Sequence, residues 1–541
     1  MTRELAPPLA AGAPPKIPAR DLARVFAGAL LAAAAFWSPL LVGGSLHGHD
    51  WSTHHFHYFD WVRQAFAEHG AIPLYMADAW VTPNFLANAE APTLGPLAWL
   101  LLWLPTGAYV KLLIVLFTAA GLAGFVLLLR DLGVSWGVAA ALAAAFCFGG
   151  FFTAHVAVGH PWALGAQLLP ALLLLFRRAA LGSGVALAGA AALDAATVLG
   201  GQHQPFVWQN LLLGAFAALW ALRVRAAFPL VRYAQLAALA AGLAAVKLVP
   251  LWLEFRDYAP TARIQGLPLG ALADAVLARG QGPERALPGI DYAFGAGWWE
   301  YAFYSGLLVV VAAAAALSGW RRSWPLLAVG GCFLALSVGP EGPWRLLQDL
   351  PVWRTQRCPS RFLLLALFAF LVAAGPELEA LRVRAQRRLR GRAAGLVWGV
   401  AVLAAADLFA ESLAWQAAAV GPAIASRDHR PVPLALDGPA VRAALSGFAP
   451  NRLVYTVEAQ APATVVLPVR YGLRSAEWRI EGASAREARG RLAIQVAAGR
   501  REVELAYAPP GLAIGALISA ASLAWLAAWG GLRARFRRAA P

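Results

Sequence analysis

LHGHDWSTHHFHYFDWVRQAFAEHGAIPLYMADAWVTPNFLANAEAPTLGP, residues Leu46 to Pro96, decides how the rest of the chain is read. It follows the first apolar segment directly. It is too polar to cross a bilayer, and too rich in His, Trp, Tyr and acids to be a plain linker. His49 and Asp50 open it. Phe56, Phe59, Val62, Ala65 and Phe66 then recur at helical spacing, which predicts an amphipathic helix ended by Gly70 and Pro73. Such a helix would lie along a membrane surface with its aromatic face buried. An acid beside it is well placed to act on a substrate anchored in lipid.

Composition agrees. The 541 residues are 60% hydrophobic and only 14% charged, with a mean hydropathy of +0.59, the profile of a polytopic membrane protein. The formal charge of +16 would suggest nucleic acid in a soluble chain. Here the basic residues cluster in short stretches between apolar segments, so the positive-inside rule accounts for them and no nucleic-acid partner is expected. Cys147, Cys332 and Cys358 are scattered and form no disulfide or zinc spacing.

The organisation follows from the apolar segments. Residues 1–21 read as a disordered cytoplasmic tail. A transmembrane domain spans 22–411, with a large first outer loop at 46–92. Beyond the first segment, Leu22–Ser45, spans are expected near Tyr109–Leu129, Trp136–Phe152, Trp162–Phe176, Val185–Leu199, Phe206–Leu222, Tyr233–Leu253, Tyr301–Leu317, Trp324–Val338, Phe362–Gly375, Gly395–Phe409 and Gly511–Trp529, about twelve in all. Leu94–Leu104 is too short to span and reads as re-entrant or interfacial. Arg130, the Arg177–Arg178 pair, Arg223, Arg225, Arg232, Arg321, Arg322, the arginines of 382–392 and those of 533–538 then fall on one side, with both termini cytoplasmic. Residues 412–510 differ in kind. Leu453–Val457, Thr464–Arg470, Glu477–Ile480, Arg491–Val496 and Glu502–Tyr507 are short β-rich stretches between turns, a small β-sandwich-like domain outside the membrane. A last span and basic tail occupy 511–541. The fold class is therefore mainly α, a polytopic helical bundle with a C-terminal outer β domain.

Each outer-side feature has a functional and a bland reading. Asp50 is either a site acid or a helix N-cap; following a span and flanked by His49 and Trp51, it is read as a site acid. His47, His49, His54, His55 and His57 fit no standard zinc spacing, so a metal site ranks second. Asp60, Asp78 and Glu90 read as solvated charges. His155 and His160, with Gln202 and His203 at the next outer turn, suggest a polar pocket or, equally, helix ends bonded to backbone. Glu300 is a site acid or a neighbour of an aromatic belt. Arg354, Arg357 and Arg361 lie on the side where positive charge is disfavoured. Forked guanidinium groups bind phosphate, so they either hold a lipid phosphate or meet anionic headgroups generally.

Taken together, HDW at Asp50, GAIPLY, FLANAEAPTLGPLAWL, GFFTAHVAVGH, GGQHQPF, VKLVPLWLEF, GWWEYAFYSGLL, LPVWRTQRCPSRFLLLA, VRYGLRSAEW and AGRREVELAYAPPGLAIG, in that order, resemble the bacterial YfhO-like membrane proteins of the GT-C glycosyltransferase superfamily. The resemblance covers nearly the whole chain after the tail. It implies a bacterial inner-membrane enzyme that takes a sugar from a polyprenyl-phosphate donor to an outer glycan, lipid or protein acceptor, with Asp50 as base or metal ligand and a divalent cation as an optional cofactor. The chain departs from the pattern at Gln202-His203-Gln204, where His-Pro-Gln is expected, at Lys247, and at Leu473-Arg474-Ser475. The residues fit such chemistry on their own account: a carboxylate takes the acceptor proton while Arg or a metal stabilises the leaving phosphate. The rival readings are a flippase or transporter of lipid-linked glycans and a non-catalytic assembly protein.

Overall fold

The computed structural model describes residues 18–79, 82–257, 265–286, 297–388, 393–427, 429, 441–470, 477–481, 483–488 and 491–539. Most of them are helical. In chain order the helices are α1 (Ala19–Phe36), α2 (Ser38–Val42), α3 (Phe56–His69), α4 (Thr106–Asp131), α5 (Trp136–Cys147), α6 (Gly150–Val158), α7 (Leu169–Ala180), α8 (Gly184–Leu199) and α9 (His203–Val224). They continue with α10 (Phe228–Leu243), α11 (Ala245–Phe255), α12 (Leu272–Leu277), α13 (Leu307–Ser318), α14 (Trp320–Ser337), α15 (Leu363–Arg388), α16 (Ala393–Ala418) and α17 (Leu512–Ala539).

Helix forms in each apolar segment expected to span. Among the described residues, 7 helices are long and apolar enough to cross a membrane, or 8 if α10 and α11 count as one bent span. α8 and α13 are apolar but short. The long helices are apolar on most faces, so helix–helix packing rather than a polar/apolar stripe orders them. α4 is the central one: it packs against α1, α5 and α7, and its start and end mark the two ends of the bundle.

At its far end, Asp131 is buried and receives both Arg177 and Arg178, the second through Nη2 at 2.8 Å. These two arginines were expected to be loop charges. Arg177 is instead fully buried, because an acid at the end of α4 offers it a partner inside the fold. At the near end, Thr106 donates to Asp60 at 3.0 Å. Asp60 is thus a buried acceptor and not a solvated charge. It also accepts from Gln64 at 2.9 Å and from Ser426.

α10 and α11 meet at 84°. No proline sits at the break. α17 supplies the cause: Ser519 accepts from Val246 N at 3.0 Å and donates to Leu243 O at 2.9 Å, inserting its hydroxyl where the helical ladder is open. Freed backbone groups are thereby satisfied without water.

The first loop is not a free surface element. A single π-helical turn, Trp51–His55, leads into α3, and Gly70 caps α3 in the left-handed region at φ 59°. α3 buries Tyr58, Trp61, His57 and Asp60 as well as the predicted Phe59, Val62, Ala65 and Phe66, and Phe56 is half-buried. The amphipathic pattern is present, but the polar face is partly covered, at His57 and Asp60, while Glu68 and His69 stay exposed. One side lies on the bundle, while Trp61 and Tyr75 pack against the C-terminal β region through Phe448, Trp478 and Tyr507. Pro96–Leu102 forms a 3-10 turn, with Trp99 within it and Trp103 just after it exposed.

Nine strands are described: β1 (Ser45–Leu46), β2 (Val420–Gly421), β3 (Val441–Ala449), β4 (Arg452–Ala459), β5 (Ala463–Arg470), β6 (Glu477–Glu481), β7 (Ser484–Ala488), β8 (Arg491–Val496) and β9 (Gly499–Ala508). β1 and β2 pair to tie the start of the first loop to the end of α16. The rest form two antiparallel sheets, ordered β3-β4-β9-β6 and β5-β8-β7. Alternation in β4 sends Leu453, Tyr455, Val457 and Ala459 inward. Opposite them on β9, Val503 and Leu505 pair with Tyr455 and Leu453. Both sheets contribute to one apolar cluster. Five of these strands were expected; β3 and β7 were not, since Arg442, Ser446, Arg486 and Glu487 hide their alternation. The β region begins later than 412: α16 runs to Ala418 and Ser412 is buried within it.

Candidate functional site

The site forms where the first loop crosses the ends of α6 and α9. Two glycines permit the approach. Gly159 has φ 91°, and a Cβ there would lie 2.2 Å from the Trp51 backbone nitrogen. Gly201 has φ 85°, and its Cβ would lie 2.4 Å from the Glu90 carbonyl oxygen. Only glycine tolerates that conformation at that distance. Trp51, fully buried, anchors the loop by donating its indole N–H to the Val156 carbonyl at 2.8 Å.

Asp50 precedes the π-helical turn but does not cap it. Its carboxylate instead receives His49 Nδ1 at 2.6 Å and His160 Nε2 at 2.7 Å. Burial alone would raise the Asp50 carboxyl. The His160 hydrogen bond and charge, with His54 and His55 close by, hold it well below the usual carboxylate range. Asp50 is therefore an ionised acid, 18% exposed at the side chain.

Behind it runs a buried polar chain. His160 and His155 face one another with ring centroids 5.3 Å apart. His155 Nδ1 donates to the Phe151 carbonyl at 2.9 Å, and its Nε2 lies 3.8 Å from Glu300 Oε2. Glu300 is gripped by a bidentate fork from Arg361, at 2.7 and 2.5 Å. Burial would raise the Glu300 carboxyl, but Arg361 pulls it below the ordinary range. Arg361 also donates to Gln204 Oε1 at 2.6 Å and lies over the Trp162 ring at 4.6 Å.

A second acid joins from the loop. Glu90 Oε2 lies 3.3 Å from His55 Nε2. Burial opposes its charge, yet His55, His203 and His54 together hold it well below the usual range. Burial chiefly, helped by His55, pushes His54 down to about 4. Lys247, fully buried on α11, donates to the Ala91 carbonyl at 2.5 Å.

Beside this cluster an apolar cleft of about 320 Å³ opens between the loop and the bundle. Tyr109, Leu113, Phe117, Leu168 and Leu193 form its walls, and Pro92 and Gln202 its polar-cluster end.

Of the residues singled out in the sequence, Asp50, His49, His155, His160, Glu300 and Arg361 come together. His203 stands at the edge, its ring 6.4 Å from Trp162, and Gln202 lines the cleft. Arg354 and Arg357 do not join them. Arg354 donates to the Arg256 carbonyl, and Arg357 is exposed. Glu90 was read as solvated and is instead the partner of His55. Trp162 carried no signal beyond its place in GHPW, and Gln204 and Lys247 stood out only as departures from the resembled pattern. The chemistry on offer is an ionised acid, imidazole donors and two donor sets able to hold a cation: Asp50, His54 and His55, and His155, His160 and Glu300. No family model matches this chain, and no curated protein matches it.

Proposed function

We propose that this chain is a polytopic membrane glycosyltransferase of the GT-C type. It takes a sugar from a polyprenyl-phosphate carrier and passes it to an outer glycan, lipid or protein. In this reading about twelve segments cross a bacterial inner membrane, both termini are cytoplasmic, and the two sheets form an outer sandwich resting on the first loop. The observation that carries the reading is Asp50, an ionised and partly exposed carboxylate between two histidines, in a fold whose apolar cleft begins at Pro92 and Gln202. Its charge is suited to take or steer the acceptor hydroxyl proton. The cleft suits an isoprenoid tail. Arg361 is occupied by Glu300, so exposed Arg357 is the arginine that meets the carrier phosphate.

Purified protein incubated with polyprenyl-phosphate sugars should release polyprenyl phosphate. In donor titrations, Arg357→Ala should weaken binding by roughly thirty-fold or more, Arg357→Lys should recover it in part because the fork is lost, and Arg345→Ala should change little. Equal, small losses in all three would reduce the arginines to headgroup contacts.

One observation favours a flippase instead: the break between α10 and α11 is the kind of discontinuity that transporters place at their sites. Movement of a lipid-linked glycan across vesicles without release of polyprenyl phosphate would select that reading.

A further inference from the structure

The geometry points to a buried zinc site made by His155, His160 and Glu300, lying behind Asp50 and using ligands distinct from it. It does not rest on sugar transfer being the reaction. One donor atom of each of the three residues lies within 4.8 Å of one of each other residue. All three side chains are buried.

The hydrogen bonds fix which nitrogen of each histidine is available. His155 Nδ1 faces a carbonyl oxygen, which can only accept, so Nδ1 carries the proton. The neutral ring then presents the Nε2 lone pair towards the inside of the cluster. That Nε2 has no hydrogen-bond partner among the described residues. His160 Nε2 faces the Asp50 carboxylate and therefore donates. Its Nδ1 is left as the lone pair, buried and likewise without a hydrogen-bond partner among the described residues. Glu300 Oε2, 3.8 Å from His155 Nε2, accepts from Arg361 Nε and keeps a second lone pair. The cluster thus holds two buried imidazole nitrogens with no hydrogen-bond partner among the described residues, where a protein interior disfavours unpaired acceptors.

The surroundings are those that orient metal ligands. A ligating histidine usually gives its other N–H to a carboxylate or a backbone carbonyl. His160 does the first and His155 the second. A ligating carboxylate is usually hydrogen-bonded in turn, and Arg361 does that for Glu300. Two imidazoles and one carboxylate suit Zn²⁺ better than Mg²⁺ or Ca²⁺, which favour oxygen shells. Bonds of about 2.0–2.2 Å around a tetrahedral ion require the donors to draw in, a movement within reach of side-chain rotation. The charge balance permits it. Asp50, bonded to His160, and Glu300 bring two carboxylates, and Arg361, paired with Glu300, is the fixed cation of the cluster. The ion would lock the end of α6 to the segment around Glu300. It would also strengthen His160 as a donor to Asp50.

The test uses the full-length protein in detergent. Metal analysis after chelator-free purification should find about one zinc per chain. Cobalt(II) added to the stripped protein should give a visible ligand-field band that saturates near one equivalent. The band and the zinc should be lost in His155→Ala and Glu300→Gln and kept in His55→Ala, which belongs to the other donor set. Wild-type protein that takes up neither metal overturns the site, and that measurement involves no variant whose folding could fail. So does metal uptake that survives His155→Ala and disappears in His55→Ala.

Discussion

Asp50 is held by His49 and His160 rather than by the backbone N–H groups a capping residue would use. Asp50→Asn keeps the shape and removes the charge. It should insert normally and lose roughly a hundred- to ten-thousand-fold in transfer rate, the usual scale for a general base. Asp78→Asn should stay near wild type in the same assay, since Asp78 pairs with His429 at 3.1 Å with 39% of its side chain exposed. The Glu300–Arg361 pair differs in kind, with side chains 2% and 5% exposed. Arg361→Ala would leave a buried carboxylate uncompensated and should destabilise by about 3–5 kcal/mol. A Glu300→Gln/Arg361→Met double variant should recover most of that, as read by thermal unfolding in detergent. A double variant no better than the single one would mean that the site depends on the charges themselves. At this scale the sequence was informative where a polar residue stood in apolar surroundings, as His155, His160 and Glu300 do. It misled at Glu90 and Asp60. Nothing local distinguishes a solvated acid from one covered by a distant partner such as His55 or Thr106.

Among elements, the first loop shows what periodicity can and cannot give. Phe56, Phe59, Val62, Ala65 and Phe66 predicted α3, and Gly70 ended it as expected. The pattern could not show that part of the polar face is covered too, because the covering residues lie hundreds of positions away, at Ser426 and Phe448. The contact that sets Asp50 is of the same sort. It depends on Gly159, whose place in AVGHPW reads only as a helix end. Gly159→Ala would force both a disfavoured φ and a clash with the Trp51 nitrogen, so it should destabilise by about 1–3 kcal/mol or more. It should also lower activity by displacing Asp50. The expected result is a lower melting temperature with reduced turnover; an unchanged melt and full turnover would mean that the loop is not seated here. The α10–α11 break was hidden for a related reason: its cause, Ser519, lies on α17.

Over the whole molecule, apolar length made the helical class legible, and short β-rich stretches between turns made the C-terminal β region so. Span length was less so. α5 and α6 together make one span-length stretch, Trp136–Val158, but α8 and α13 are short. Orientation is the claim that loop charge supports most directly. In a background with Cys147, Cys332 and Cys358 replaced by serine, a cysteine at Ser484 should be labelled from outside and one at Gly391 should not. The reverse pattern would invert the topology and put Asp50 on the cytoplasmic side. The proposed transfer draws on orientation, cleft and carboxylate together, and turnover tests it most directly. Wild-type and Asp50→Asn protein should be incubated with a polyprenyl-phosphate sugar and envelope acceptor, following release of polyprenyl phosphate. Steady release by the wild type, nearly abolished in Asp50→Asn at equal donor binding, is the predicted result. Equal release by both, or none by the wild type with any carrier-linked sugar, would contradict it.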